Sequence, residues 1–219
     1  MSHLIANTPA VTIRRVAVSS LDNNVYLLTS KRSGQQILID AADDADAIQA
    51  MLTDAAGDGP QPHVATIVTT HQHADHLRAL AALVAATGAP VVTGQDDAAA
   101  ITRQTGVAVD HTVDQGDTVT VDGIDLAVIG LRGHTPGGVA LAYAEPGQPV
   151  HLFTGDSLFP GGVGNTDNDP RRFASLLDDV AARVFAVYRD DAVVHPGHGA
   201  PTTLGAERPH LDEWRARGW

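Results

Sequence analysis

Apolar and polar positions along the chain change period several times, and the changes mark its elements. Val11 to Val18 and Val25 to Leu28 read as strands, separated by the turn-prone Asp22-Asn23-Asn24. Gly34-Gln35-Gln36 leads into a short apolar strand, Ile37-Leu38-Ile39-Asp40. From Asp43 to Ala55 the period becomes helical, with Ile48, Met51 and Leu52 on one face and acidic residues at the start, where the helix dipole favours them. Gly57 to Pro62 is a loop, and Val64 to Thr69 a buried strand. The spacing of Leu77, Leu80, Leu83 and Val84 predicts a helix over Asp75 to Ala86, stopped by Gly88 and Pro90. Val91 to Thr93 is a short strand, and Asp96 to Thr102 a helix.

The second half is richer in strands. Thr118 to Val121 and Ile124 to Ile129 flank Asp122-Gly123, a hairpin signal. Val139 to Ala144 and Val150 to Phe153 are joined by the turn Glu145-Pro146-Gly147-Gln148. Asp169-Pro170 opens a helix running to about Val184, and Ala192 to Val194 forms a last strand. Strands and helices fall into two comparable sets, which predicts two β-layers covered by helices on the outside.

Composition narrows the chemistry. The chain has 219 residues, a length that suits one large domain, and a hydrophobic fraction of 43% marks it as globular. A net charge of −12 counts against nucleic acid and anionic membranes as partners. There is no cysteine, so disulfides, thiolate metal sites and cysteine nucleophiles are excluded, and any metal must be held by nitrogen and oxygen. Met1 to Asn7 lacks the pattern of a signal peptide, and no apolar run reaches membrane-spanning length. The expectation is a soluble, cytoplasmic protein.

Four segments that follow strands carry ligand-type residues. The first, Thr70-His71-Gln72-His73-Ala74-Asp75-His76, packs three imidazoles and a carboxylate into six residues. Imidazole suits zinc, iron and copper. The others are Arg132-Gly133-His134-Thr135-Pro136-Gly137-Gly138, Phe153-Thr154-Gly155-Asp156-Ser157-Leu158-Phe159 and His195-Pro196-Gly197-His198-Gly199. Glycine near each loop lets backbone approach a metal or substrate closely.

In order and spacing these segments resemble the metallo-β-lactamase superfamily, and within it the glyoxalase II-type (hydroxyacylglutathione hydrolase-like) thioester hydrolases. The resemblance implies an α+β fold, the αββα four-layer sandwich, with metals at one edge. It implies that His71, His73 and His134 hold a first divalent metal, that Asp75, His76 and His198 hold a second, and that Asp156 bridges them. Zinc is the expected metal, with iron or manganese as alternatives. The bridging aspartate and the lack of cysteine count against a β-lactam substrate. The implied activity is hydrolysis of a small-molecule acyl thioester. Two metals about 3.5–4 Å apart share a water, lower its pKa to near 7 and present a bridging hydroxide to the carbonyl. Asp75 is the catalytic candidate, orienting that hydroxide. No dedicated general acid stands out, which favours a thiolate leaving group over the alkoxide of an ester or lactone. A persulfide dioxygenase of the same fold, using one iron on two histidines and one aspartate, is the alternative enzyme. A non-catalytic metal-binding protein is the alternative outside catalysis, and the complete ligand set counts against it.

Other polar residues read more plainly. His3, His63, His111, His151 and His210 are isolated and read as surface or capping residues. His195 reads as structural or as support for a ligand. Arg171 and Arg172 are placed either to grip a substrate carboxylate or simply to be solvated in the first turn of a helix. Thr135 reads as shaping its loop, and Phe159 as a pocket wall or loop anchor. Only about twenty residues follow Gly199. The expectation is therefore one domain over residues 1–219, closed by a short cap over 200–219 that contains Trp214 and Trp219, without the helical glutathione-binding region of glyoxalase II.

Overall fold

The computed structural model describes residues 2–218. Among them, a seven-stranded sheet runs in sequence order: β1 (His3–Asn7), β2 (Val11–Val18), β3 (Asn23–Ser30), β4 (Gln35–Ile39), β5 (His63–Thr69), β6 (Val91–Gly94) and β7 (His111–Val113). β1 to β4 pair antiparallel, and β4 to β7 pair parallel. The parallel part needs crossovers, which α1 (Ala45–Asp54), α2 (Leu80–Thr87) and α3 (Gln95–Thr105) provide. The second sheet holds β8 (Thr118–Val121), β9 (Ile124–Gly130), β10 (Val139–Tyr143) and β11 (His151–Gly155). The small hairpin β12 (Leu158–Phe159) with β13 (Gly162–Val163) and helix α4 (Pro170–Val180) come next. β14 (Val193–Pro196) then returns parallel to β11, with β15 (Thr202–Thr203) on the edge.

Strand periodicity assigns the layers. On β3, Val25 and Leu27 face one side and pack with Ile48, Met51, Leu80, Leu83 and Ile101 of the helices. Tyr26 and Leu28 face the other side and meet Leu126, Val128, Leu141 and Phe153 of the second sheet. That sheet turns its outer face, with Ile129, Ala140, Leu152 and Val194, to Phe173, Leu176 and Leu177 of α4. The result is the expected αββα sandwich. Each fully buried large apolar side chain contributes roughly 1.5–3 kcal/mol. After β15 come α5 (Leu204–Glu207) and α6 (Leu211–Arg217). Trp214 of α6 is buried in the outer layer, its ring 6.2 Å from that of Phe185. Trp219 lies outside the described residues. No helix among the described residues is long and apolar enough to cross a membrane.

Several elements differ from the pattern reading. The helix expected over Asp75 to Ala86 is broken. A single 3-10 turn, Ala74–His76, precedes α2, which starts only at Leu80. The cause is tertiary: the amides of Arg78 and Ala79 donate to the carbonyls of Ala42 and Ala41 (2.8 and 3.1 Å). Edge strands β1 and β7 were not signalled, because their half-exposed residues carry little alternation. α4 ends at Val180 and continues as a π-turn, Ala181–Phe185.

His151 is a correction. Far from being a surface residue, it is buried on β11, with its Nδ1 2.9 Å from His195 Nε2 and its ring stacked on that of His195. His195 also stacks on Phe153. His3, His63, His111 and His210 are exposed, as expected. Burial, with the charges of His151 and Arg15, lowers the His195 pKa to about 3. In the unfolded chain it titrates near 6.5. Between those values the unfolded chain binds a proton that the folded chain refuses, so stability falls as pH drops from 6.5 toward 3. His195→Gln is expected to reduce that slope by up to about 1.4 kcal/mol per pH unit. Urea unfolding of the metal-free protein across pH 4 to 7 measures it, and an unchanged slope refutes the assignment.

Candidate metal centre

The four ligand-bearing segments converge at one edge of the sandwich because each leaves the C-terminal end of a strand: β5, β9, β11 and β14. Backbone hydrogen bonds tie the loops together. Val139 N donates to Thr70 O (2.9 Å), Gly197 N to Gly155 O (2.8 Å) and Asn24 N to Gly197 O (2.8 Å). The buried carboxylate of Asp97 joins the first two loops, accepting from Gln72 N (2.9 Å) and Gly137 N (2.8 Å). Arg172 on α4 holds the second loop, donating from Nε to Gly133 O (2.8 Å) and from Nη2 to His134 O (2.5 Å). Thr135 is buried, and its carbonyl accepts from Gly133 N within that same loop. A Cβ on Gly197 would stand 2.2 Å from Asp156 Oδ1, so only glycine there admits the carboxylate.

The structure brings all seven candidate ligands together. His71, His73 and His134 form one set whose potential ligand atoms lie within 4.8 Å of one another, and Asp75, His76 and His198 form another. Asp156 sits between them. Its Oδ2 is 3.6 Å from His134 Nε2 and 3.4 Å from His198 Nε2, and its Oδ1 is 3.4 Å from His76 Nε2. Asp75 Oδ2 lies 3.2 Å from His198 Nε2 and 3.6 Å from His76 Nε2.

Four of the five histidines are oriented from behind through Nδ1. His71 Nδ1 meets Thr70 Oγ1 (3.0 Å), His76 Nδ1 meets Asp40 Oδ2 (3.0 Å), His134 Nδ1 meets Asn165 O (2.7 Å) and His198 Nδ1 meets Leu21 O (2.8 Å). Such partners turn the Nε2 atoms inward, as metal-binding histidines require. His71 Nε2, His134 Nε2 and Asp156 Oδ1 are buried without a hydrogen-bond partner. Unsatisfied buried polar atoms are costly. Three of them converging among imidazoles and carboxylates fit divalent cations held by nitrogen and oxygen.

The electrostatics divide the centre. Burial lowers the pKa values of His71 and His134, so both are neutral, the form that binds metal. Burial works the same way on His76, but Asp156 and Asp40 outweigh it and raise its pKa to about 10. His198 is raised by its contact with Asp156, against burial. Burial pushes the Asp156 carboxyl up, yet His198 and His76 hold it far below the ordinary carboxylate range. Asp75 is likewise held down against burial, by a hydrogen bond from Asn23 Nδ2 (3.0 Å) and by His76. The positive charge favoured on His76 therefore stands where a cation would.

Several supporting residues were not read from the sequence. The local pattern reads Asn23 and Asn24 as a turn, but they begin β3 and are fully buried. Asp40 ends a strand in a left-handed conformation (φ 57°), which points its carboxylate at Thr70 and His76. Phe159 lies beside His198, ring centroids 6.4 Å apart. Arg171 and Arg172 border a cavity that also touches His73 and His134.

Comparison with known proteins agrees with this geometry. A family model described as metallo-beta-lactamase superfamily matches residues 20–198. A hydroxyacylglutathione hydrolase of Fuscovulum blasticum is 33% identical over 162 residues, 74% of this chain and 58% of that protein. The chain thus spans less than two thirds of that relative's length. Among solved structures, TTHA1623 in a di-iron-bound form is 33% identical (TM-score 0.64), covering 89% of this chain and 96% of that one. ETHE1 from Myxococcus xanthus is 25% identical (TM-score 0.76), covering 93% and 84%.

Proposed function

The chain belongs to the metallo-beta-lactamase superfamily, and within it we propose a metal-dependent hydrolase of small-molecule acyl thioesters. One observation carries the reading: two sets of inward-facing ligands meet at a shared carboxylate, Asp156. His71, His73 and His134 would hold one divalent cation, and Asp75, His76 and His198 the other, with Asp156 between them. Zinc, iron and manganese all suit these donors. Once bound, such a pair supplies Lewis-acid polarisation of a carbonyl and a water of lowered pKa.

The chain's own residues do the rest. Asp75 stays ionised, is half-buried at the rim, and is fixed by Asn23, so it can accept a hydrogen bond from the attacking water and align its lone pair. Asn23 Nδ2 also stands 3.4 Å from His198 Nε2, which keeps Asp75 and His198 in register. A thiolate leaves without a proton donor, since a thiol's pKa is about 8.5. No lysine lies among the candidate ligands or the residues found to support them, in keeping with a leaving group that needs no acid.

The test joins elemental analysis to a substrate screen. Two metals per chain and turnover of 2-hydroxyacyl thioesters ahead of matched oxygen esters are expected. One iron per chain with oxygen uptake on a persulfide would move the protein to the oxygenase alternative. Full metal with no hydrolysis of esters, lactones or thioesters would leave only a metal-binding role.

A further inference from the structure

A cavity of about 630 Å³ opens beside His73 and His134, walled on one side by Pro136 and on the other by Arg171, Arg172 and Ser175 of α4. The two arginines differ. Arg172 is engaged: besides its bonds to Gly133 O and His134 O, its Nη1 donates to Asp167 Oδ2 (2.6 Å). Arg171 is exposed, and only its backbone N–H is used, donating to Asp169 Oδ1 (2.8 Å). Among the described residues its guanidinium has no hydrogen bond or ion pair. The nearby carboxylates are occupied, Asp167 by Arg172 and Asp169 by the amides of residues 171 and 172.

Helix stability does not explain Arg171. It stands in the first turn of α4, after N-cap Asp169 and Pro170. A cation there opposes the helix dipole. It does lie one turn before Ser175, at i,i+4, so both side chains belong to the same helix face, the one that borders the cavity. The other side of the centre is different in kind. There Leu21, whose carbonyl holds His198, is 53% exposed, and Phe159 lies beside the same histidine. One rim is apolar, and the opposite rim offers the Arg171 guanidinium, free of hydrogen bonds and ion pairs among the described residues, with the Ser175 hydroxyl and with Asp167 held by Arg172.

We propose that Arg171, with Ser175, is the anion anchor of this site and selects thioesters whose thiol half carries a carboxylate. The proposal rests on the thioester reading. The planar guanidinium matches a carboxylate bidentately. In a chain of net charge −12, such a local cation is what admits an anionic substrate. The acyl group then lies toward Leu21 and Phe159, and its carbonyl over the ligand cluster.

Two probes differing by one carboxylate test this: S-lactoyl-N-acetylcysteine and S-lactoyl-N-acetylcysteamine. The metal-loaded protein is expected to prefer the first by about 10- to 100-fold in kcat/KM, the range for a charge-assisted pair. Arg171→Gln should bring the ratio close to one through KM, and Arg171→Lys should restore part of it. Calorimetry with S-propyl-N-acetylcysteine and S-propyl-N-acetylcysteamine, thioethers that cannot be hydrolysed, reads the anchor apart from chemistry. The acid should bind more tightly to the parent protein and lose that advantage in Arg171→Gln. Equal binding of the two thioethers by the parent protein, or a preference that survives Arg171→Gln, overturns the anchor. Arg171-dependent binding without hydrolysis of either thioester supports the anchor and overturns the thioester reading.

Discussion

Asp156→Ala is expected to strip the centre of both metals and to lower kcat/KM by a factor on the order of 10³ or more. That factor corresponds to the several kcal/mol that a metal pair lends a transition state. The expectation follows from position. The two carboxylate oxygens of Asp156 stand 3.4–3.6 Å from the Nε2 atoms of three histidines, and those three are drawn from both ligand sets. Among the described residues, Asp156 is the one carboxylate that reaches histidines of both sets. The surrounding structure leaves nothing to replace it, since Gly197 and Gly164 are packed against Asp156 itself. Loss of the carboxylate also removes the main group that raises the His198 pKa and one of the two that raise that of His76, Asp40 being the other. Elemental analysis after dialysis, with circular dichroism to confirm folding, gives the answer. Two retained metals together with a normal rate would contradict a bridging role.

The residues that touch one another at this site were legible because they recur as short motifs behind buried strands. His71, His73, Asp75, His76, His134, Asp156 and His198 are the ligands that the resemblance carried by those motifs implies, and the structure draws them into one cluster. Strands with two buried faces were legible for a related reason. β5 carries the largely apolar run Val64-Ala65-Thr66-Ile67-Val68, and that run marks the strand to within one residue of its ends.

The residues that hold the cluster in place were not legible, because a single polar residue at a strand end has no local signature. Asp97 looks like an ordinary acidic residue in the first turn of α3, yet it is fully buried and clamps two loops. Asp40 closes an apolar strand as many surface residues do. His151 seemed isolated until β14 came to lie beside β11 and brought His195 against it. The break ahead of α2 has the same origin: amides that helix periodicity assigns to their own turn are taken by carbonyls of a distant loop. Non-local hydrogen bonds decided each of these cases, and they are invisible to period and propensity.

Asp40→Asn is expected to lose the second metal while the fold survives. Asp40 Oδ1 accepts from Thr70 N (2.7 Å), and Oδ2 accepts from Thr70 Oγ1 (2.8 Å) and faces His76 Nδ1 at 3.0 Å. In the neutral, metal-binding form of His76, a carboxylate at that point keeps the remaining proton on Nδ1, which leaves Nε2 as the lone pair aimed at Asp75, Asp156 and His198. Asparagine is nearly isosteric. Its carbonyl can keep the bond from Thr70 N, but its NH₂ then points at His76. Nδ1 must become an acceptor, the proton moves to Nε2, and the ligand atom is blocked. Supporting changes of this kind cost about 10–100-fold in metal affinity or activity. Mispairing the buried donors costs roughly 1–3 kcal/mol of stability. At metal concentrations that fill both sites of the parent protein, the variant should hold close to one metal per chain. Nitrogen-15 spectra should show the His76 proton on Nε2. Asp40→Ala removes the acceptor without supplying a donor, so it should destabilise the fold more and block Nε2 less. If Asp40→Asn retains two metals at parental affinity, the tautomer of His76 is set by something other than Asp40.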